Sequence, residues 1–379
     1  QHHFCNNRRM NWQHYLRVRT RDPAFLWRMV IGIIGAGIVL GWLADRRAAP
    51  SFGDLVDPGD HSGWDRLEAL AVSGEWWQVW WDVPREIFSD LSRPGIIALA
   101  LFTGVCWLIF LWQVLRVRSL TDWRVPTTLV AVALGVLSIW PTGFLILYQA
   151  ERWQLRESAE LVAGLRYFIL GVGLREELAK LVCLLPLMPV LLRKRDELMA
   201  LVASACVGLG FAIEENIGYF TGSRGTDTLG RFLTANPAHM ALTGLIGLAV
   251  YRAFRDPRNW GPHALAVFGL LVFAHGLYDA VIVLPDLADY SLGSTIIFAL
   301  VLYQFFHELR TLRPKGQDTI SLTATFLCGV SLLTAATFVY ISATFGARPA
   351  VDTLFTDLIG LAVMVYLFLR EMPETMVRV

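Results

Sequence analysis

Acidic, basic and imidazole side chains interrupt four long apolar stretches of this 379-residue chain. In a bilayer each such group is costly and is kept for pairing or for chemistry. The first stretch holds Arg175-Glu176-Glu177-Leu178-Ala179-Lys180, and the second holds Phe211-Ala212-Ile213-Glu214-Glu215-Asn216. The third opens with Asn236-Pro237-Ala238-His239, and the fourth holds His275-Gly276-Leu277-Tyr278-Asp279. A carboxylate in an apolar, partly wet cavity is a general base near neutral pH. A histidine can donate to a developing oxyanion or pass a proton to a leaving amine. Glu176, Glu215, His239 and His275 are equally a donor set for zinc, which would activate water. Both routes lead to hydrolysis. No Ser or Cys stands in a visible nucleophile pairing with a His, and the five Cys show no CxxC spacing.

Spacing refines the roles. Glu176 and Lys180 are i,i+4 and share a helix face, as do His275 and Asp279. Adjacent Glu176 and Glu177 point about 100° apart, so one faces a pocket and the other pairs with Lys180 or Arg175. Asp279 is placed to hold a ring nitrogen of His275 and fix its tautomer. Glycines flank all four groups (Gly171, Gly173, Gly208, Gly210, Gly244, Gly247, Gly269, Gly276) and allow close helix approach.

The elements that must carry these groups are membrane helices. The chain is 55% hydrophobic and 17% charged, against about 25% charged in soluble domains. A net charge of +1 removes the basic excess that a nucleic-acid binder needs. The sequence predicts an all-α polytopic membrane protein with ten spans. They lie at 25–44, 95–115, 125–148, 165–192, 198–220, 237–254, 263–285, 293–309, 319–344 and 352–369. Spans four to seven form a four-helix catalytic core. The first span is read as a signal anchor. Asp357, near one end of the tenth span, is read as hydrated, and His2, His3, Cys5 and His14 as a solvated tail.

Alternate short loops carry twelve Lys and Arg against six. This bias puts both termini in the cytoplasm. Glu176, Glu215, His239, His275 and Asp279 then all fall between mid-membrane and the outer face, none deeper than roughly 15 Å. The long loop 45–94 falls outside, with ten acidic residues against five Arg. Its Trp76, Trp77, Trp80 and Trp81 predict a short interfacial helix with indoles on one side, and a substrate-docking surface is the second reading.

These four groups, one per span and in this order, resemble the motifs of the PrsW family of bacterial intramembrane proteases. Those motifs are similar to the wider group of CAAX prenyl proteases and bacteriocin-processing (CPBP, or Abi) enzymes. The resemblance rests on Glu176-Glu177-x-x-Lys180, Phe211-x-x-x-Glu215-Asn216, His239 and His275-x-x-x-Asp279. It implies cleavage of a membrane-anchored protein, such as an anti-sigma factor, near the extracytoplasmic face of the bacterial inner membrane. It further implies Glu176 as water-activating base beside Glu215, with His275 and Asp279 in the oxyanion-stabilising place and Glu177 in the catalytic group. Lys180, Asn216 and His239 are supporting residues. The mechanism is glutamate- or metal-dependent, and no nucleic acid or small-molecule cofactor other than zinc is implied. The domain plan is a tail (1–24), anchor helix (25–44), acidic Trp-rich loop (45–94), protease core (95–310) and two added spans (311–379). A proton-coupled carrier and a non-catalytic Abi-like scaffold or immunity protein are the alternatives. A carrier requires a polar path through the cytoplasmic half, where Leu181–Leu192 and Leu198–Leu209 are apolar.

Overall fold

A computed structural model describes residues 12–45, 62–88, 93–314, 320–356 and 358–374. His2, His3, Cys5, Asp357 and much of the acidic loop lie outside the described residues, which are helical and contain no strand. A short α1 (Trp12–Arg19) leads into α2 (Pro23–Ala44), and a hairpin, α3 (Ser62–Ser73) and α4 (Trp76–Ile87), precedes α5 (Pro94–Val114). The third span is made of α6 (Arg124–Leu137) and α7 (Ile139–Arg152). The helices α8 (Leu161–Arg166), α9 (Leu174–Leu184) and α10 (Met188–Lys194) follow in one interrupted run. Then come α11 (Glu197–Gly222), α12 (Thr228–Leu233), α13 (Ala235–Arg255), α14 (Pro257–Val283) and α15 (Leu292–Leu312). The chain continues through α16 (Leu322–Phe345), α17 (Ala347–Thr356) and α18 (Leu358–Glu371).

Side-chain caps set several starts. The carboxylates of Asp22, Asp196 and Asp256 and the hydroxyl of Ser321 accept backbone N–H groups at the heads of α2, α11, α14 and α16. These satisfy donors that a helix leaves unpaired.

Eight helical segments among the described residues are long and apolar enough to cross a membrane. The fourth and tenth of the ten expected spans are not among these eight, and a bent pair at the tenth would make nine. Span four is the run Leu161–Lys194, with a π-helical stretch at Tyr167–Gly173 and a 3-10 turn at Leu185–Leu187. These breaks and the central charges Arg175, Glu176, Glu177 and Lys180 set it apart from the eight. Span ten is not straight: Ala347–Phe355 and Gly360–Glu371 are bent by 53°.

The helix α11 is the centre of the bundle and packs on α13, α6, α5 and α9. Every residue from Leu198 to Glu214 is buried. Backbone proximity is obtained by omitting side chains. A Cβ on Gly208 would lie 2.2 Å from the His239 carbonyl oxygen, and one on Gly210 would lie 2.0 Å from that of Val132. A Cβ on Gly276 would lie 2.4 Å from the Phe168 carbonyl oxygen. These contacts bring α11 against α13, and α14 against the π-helical stretch, with no side chain between them.

The tryptophan helix α4 sits on α7. Trp80 lies 4.9 Å from Trp140 by ring centroids, and Trp76 lies 5.9 Å from Phe144. Val79 and Val83 are wholly buried with Leu67, Ala71 and Leu147. Trp77 and Trp81 pack edge to face and remain exposed. The i,i+4 spacing thus yields one pair that anchors the hairpin and one that faces outward.

Gly208→Ala lowers stability by about 1–3 kcal/mol, the cost of overpacking a tight contact. Gly218→Ala in the same helix, where a Cβ meets nothing within 4 Å, leaves it unchanged or gains up to ~1 kcal/mol. Thermal unfolding of the two variants in detergent checks this contrast.

Candidate active site

The centre of the site is a buried cation. Lys180 has no exposed side-chain surface, and its Nζ donates to Glu177 Oε1 at 2.9 Å and Glu176 Oε2 at 3.3 Å. Its third contact is His239 Nδ1 at 2.9 Å. An ammonium has no lone pair, so Nδ1 of His239 is the acceptor and Nε2 carries the proton. That Nε2 donates to Glu215 Oε2 at 3.0 Å. Beneath these groups, the Phe211 ring takes Lys180 Nζ at 3.9 Å from its centroid and lies 5.1 Å from the His239 ring. This explains the Phe211-to-Glu215 spacing: one helix turn supplies the apolar floor and the next supplies the carboxylate.

Glu176 and Glu177 divide as adjacent helix positions must. Glu176 lines a cavity of about 480 Å³, whereas Glu177 is wholly buried behind it. Glu177 accepts from Lys180, from Thr243 Oγ1 at 3.1 Å and from His275 Nδ1 at 3.0 Å. The last contact corrects the sequence reading. The tautomer of His275 is fixed by Glu177 from another helix, not by Asp279 one turn along its own. Asp279 Oδ2 instead lies 3.5 Å from His275 Nε2, and Glu176 Oε2 lies 3.7 Å from the same nitrogen. Of the two partners expected for the glutamate turned from the pocket, Lys180 and Arg175, it is Lys180 that serves, and it also reaches Glu176.

Glu176, Glu215, His239, His275 and Asp279 all line the cavity, while Glu177, Lys180 and Asn216 stand behind its wall. Glu214, the neighbour of Glu215, does not line it. Arg231 was counted in the sequence only as a loop charge. Its Nη2 donates to Glu215 Oε2 and its Nε to Asn216 Oδ1, both at 2.5 Å, with its guanidinium 3.6 Å from the Tyr219 ring centroid. Asn216 passes the chain on to Asn236 at 2.7 Å, and Asn236 to Thr103 at 3.1 Å. No sequence pattern marked Arg231, because its contacts lie 15 and 16 residues back on α11.

Glu176, His239 and His275 each offer one ligand atom, and these atoms lie within 4.8 Å of one another. Two imidazoles and one carboxylate fit a catalytic zinc site, which takes three protein ligands. The surroundings fit as well. With Nδ1–H given to Glu177, the His275 Nε2 lone pair faces two carboxylates, an acceptor-only arrangement that suits a cation. A divalent ion held by His239 would compete with the proton that this imidazole now gives to Glu215. Glu215, expected in the donor set, is outside this group of three.

Residues 124–306 match the model of the PrsW family intramembrane metalloprotease. Over this stretch, just under half of the chain, the protein is similar to that family. The stretch spans α6 to the middle of α15 and contains every residue of the cluster but Thr103. No curated protein and no solved structure matches the chain. The PrsW-family match covers span four, the helical run whose breaks place its charges. The π-helical stretch ends at Gly173, and Arg175, Glu176, Glu177 and Lys180 follow within two turns. Such insertions in a helix recur at functional sites.

Removing one partner of a buried ion pair strands the other charge, at about 3–5 kcal/mol. Lys180→Met therefore lowers the unfolding temperature sharply. The double variant Lys180→Met with Glu177→Gln regains a large part of the loss, and a thermal-shift series on both checks it.

Proposed function

We propose that the protein is an endopeptidase that hydrolyses a membrane-anchored protein substrate near the extracytoplasmic face of a bacterial inner membrane. One observation carries this reading: the Glu176, His239 and His275 ligand atoms converge within 4.8 Å on a cavity wall, inside the PrsW-matched segment. These three residues would hold a divalent ion such as zinc, which when bound supplies a Lewis acid for the scissile carbonyl and for water. The remaining roles belong to the chain itself.

Glu215 is the proposed base. Both of its contacts, to Arg231 and His239, are made by Oε2. Its Oε1 has no hydrogen bond among the described residues and is left to take a water proton. Arg231 and Asn216 hold this carboxylate in place, and Tyr219 supports the guanidinium. Glu177 orients His275, and Lys180, itself with no exposed surface, neutralises Glu177 behind the wall and Glu176 on it. The cavity is closed beyond Lys180 by Leu184, Leu187, Met188 and Leu191, packed against α11 and α13. That packing supports a site open to one side and weighs against a carrier.

The lining includes Glu157 in the loop between α7 and α8, Arg231 on the short α12, and Tyr219 and Val283 near the C-terminal ends of α11 and α14. The basic loops lie toward the other end, so the charge bias puts this opening on the outer side. An anti-sigma-factor-like protein with a single span is the substrate type that suits such an opening.

Cleavage of a candidate single-span substrate in proteoliposomes tests the reading. Glu176→Gln reduces the rate at least ~100-fold, and Glu214→Gln retains it. Equal cleavage by wild type and Glu176→Gln would remove Glu176 from the reaction.

A further inference from the structure

Arg175 precedes the paired glutamates and lines the same cavity. It is 7% exposed, and its Nε is fully buried without a partner. No hydrogen bond or ion pair reaches it among the described residues. Its guanidinium lies against the Tyr167 ring, whose centroid is 5.5 Å from Cζ. Two other charges on the wall between α9, α11 and α14 are matched by cations, Glu176 by Lys180 and Glu215 by Arg231. Arg175 is the cation left over. A buried guanidinium without an acceptor is costly, and it is kept where a ligand supplies the acceptor.

Its position says what the ligand is. Helix side chains lean toward the N-terminus. In agreement, a Cβ on Gly171, one turn back, would lie 3.6 Å from Arg175 Nη1. The guanidinium therefore sits away from the Lys180 cluster, toward Tyr167 and the end of the cavity that Glu157 lines. One helix turn is about 5.4 Å, which matches one to two residues of extended chain at roughly 3.3 Å each. The planar fork of Arg suits a carboxylate bound through two oxygens.

We infer that Arg175 is a specificity-determining residue, a subsite for an Asp or Glu side chain of the substrate. That side chain lies one or two residues from the scissile bond, on the side toward the cavity mouth. The inference rests on the protease reading and names a feature of its substrate.

Binding without turnover separates the two. Full-length Glu176→Gln protein in phosphatidylcholine nanodiscs is titrated with single-span fluorescent peptides. One Asp, or Asn as control, is walked through the four residues beyond the apolar span. The expected result is binding about tenfold tighter or more for Asp at one or two adjacent positions, the strength of a charged hydrogen bond. Adding Arg175→Gln removes the preference and leaves the Asn peptide's affinity unchanged. Adding Arg175→Asp restores tight binding to the peptide with Lys at that position. Equal affinity for Asp and Asn at every position, or an Asp preference that survives Arg175→Gln, overturns the subsite. So does Arg175-dependent binding that follows added phosphatidylglycerol and not the Asp. Failure of the protease reading shows separately, as undiminished cleavage by Glu176→Gln.

Discussion

One buried ammonium organises the polar interior of this protein. Lys180 is held by Glu176, Glu177 and His239 with no exposed surface. In a low-dielectric region an unpaired charge is expensive and a paired one is strongly directional. Lys180 therefore decides where the two glutamates point and which nitrogen of His239 carries a proton. Glu177, once neutralised, is free to orient His275. Each step moves outward from Lys180 to the cavity wall. A charge cluster that would be a liability in a soluble core becomes the frame of the site.

The frame depends on helices that approach more closely than ordinary side chains permit. Gly208 faces the backbone at His239, and Gly276 faces the backbone at Phe168 and Ile169. These two contacts deliver the histidines to glutamates on a different helix. The π-helical stretch Tyr167–Gly173 re-aims the helix just before Arg175 and Glu176. Stability and site geometry are thus set by the same few contacts, which is why their variants affect both.

Much of this was legible in the sequence because a bilayer punishes stray charge. Charged groups inside apolar stretches are few, and six of those named at the outset (Arg175, Glu176, Glu215, His239, His275 and Asp279) line one cavity. The Phe211 spacing singled out Glu215, which lines the cavity, over Glu214, which does not. The paired spacing of four tryptophans foretold the short helix, but the indoles expected on one side are divided, with Trp76 and Trp80 packed on α7 and Trp77 and Trp81 exposed. What stayed hidden involves contacts between helices. Glu177 holds His275 across 98 residues, whereas Asp279 looked better placed at i,i+4. Arg231 looked like a loop charge and is the anchor of Glu215. Breaks within a helical run leave no periodic mark, so span four read as regular and span ten as straight.

Zinc content of purified full-length protein tests most directly whether Glu176, His239 and His275 form the reaction centre. The account predicts about one zinc per chain after loading, as for a three-ligand catalytic site. Each of the alanine variants at these three positions loses it, while Glu214→Ala retains it. Wild-type protein that binds no metal, or single variants that all keep a full equivalent, would contradict the account.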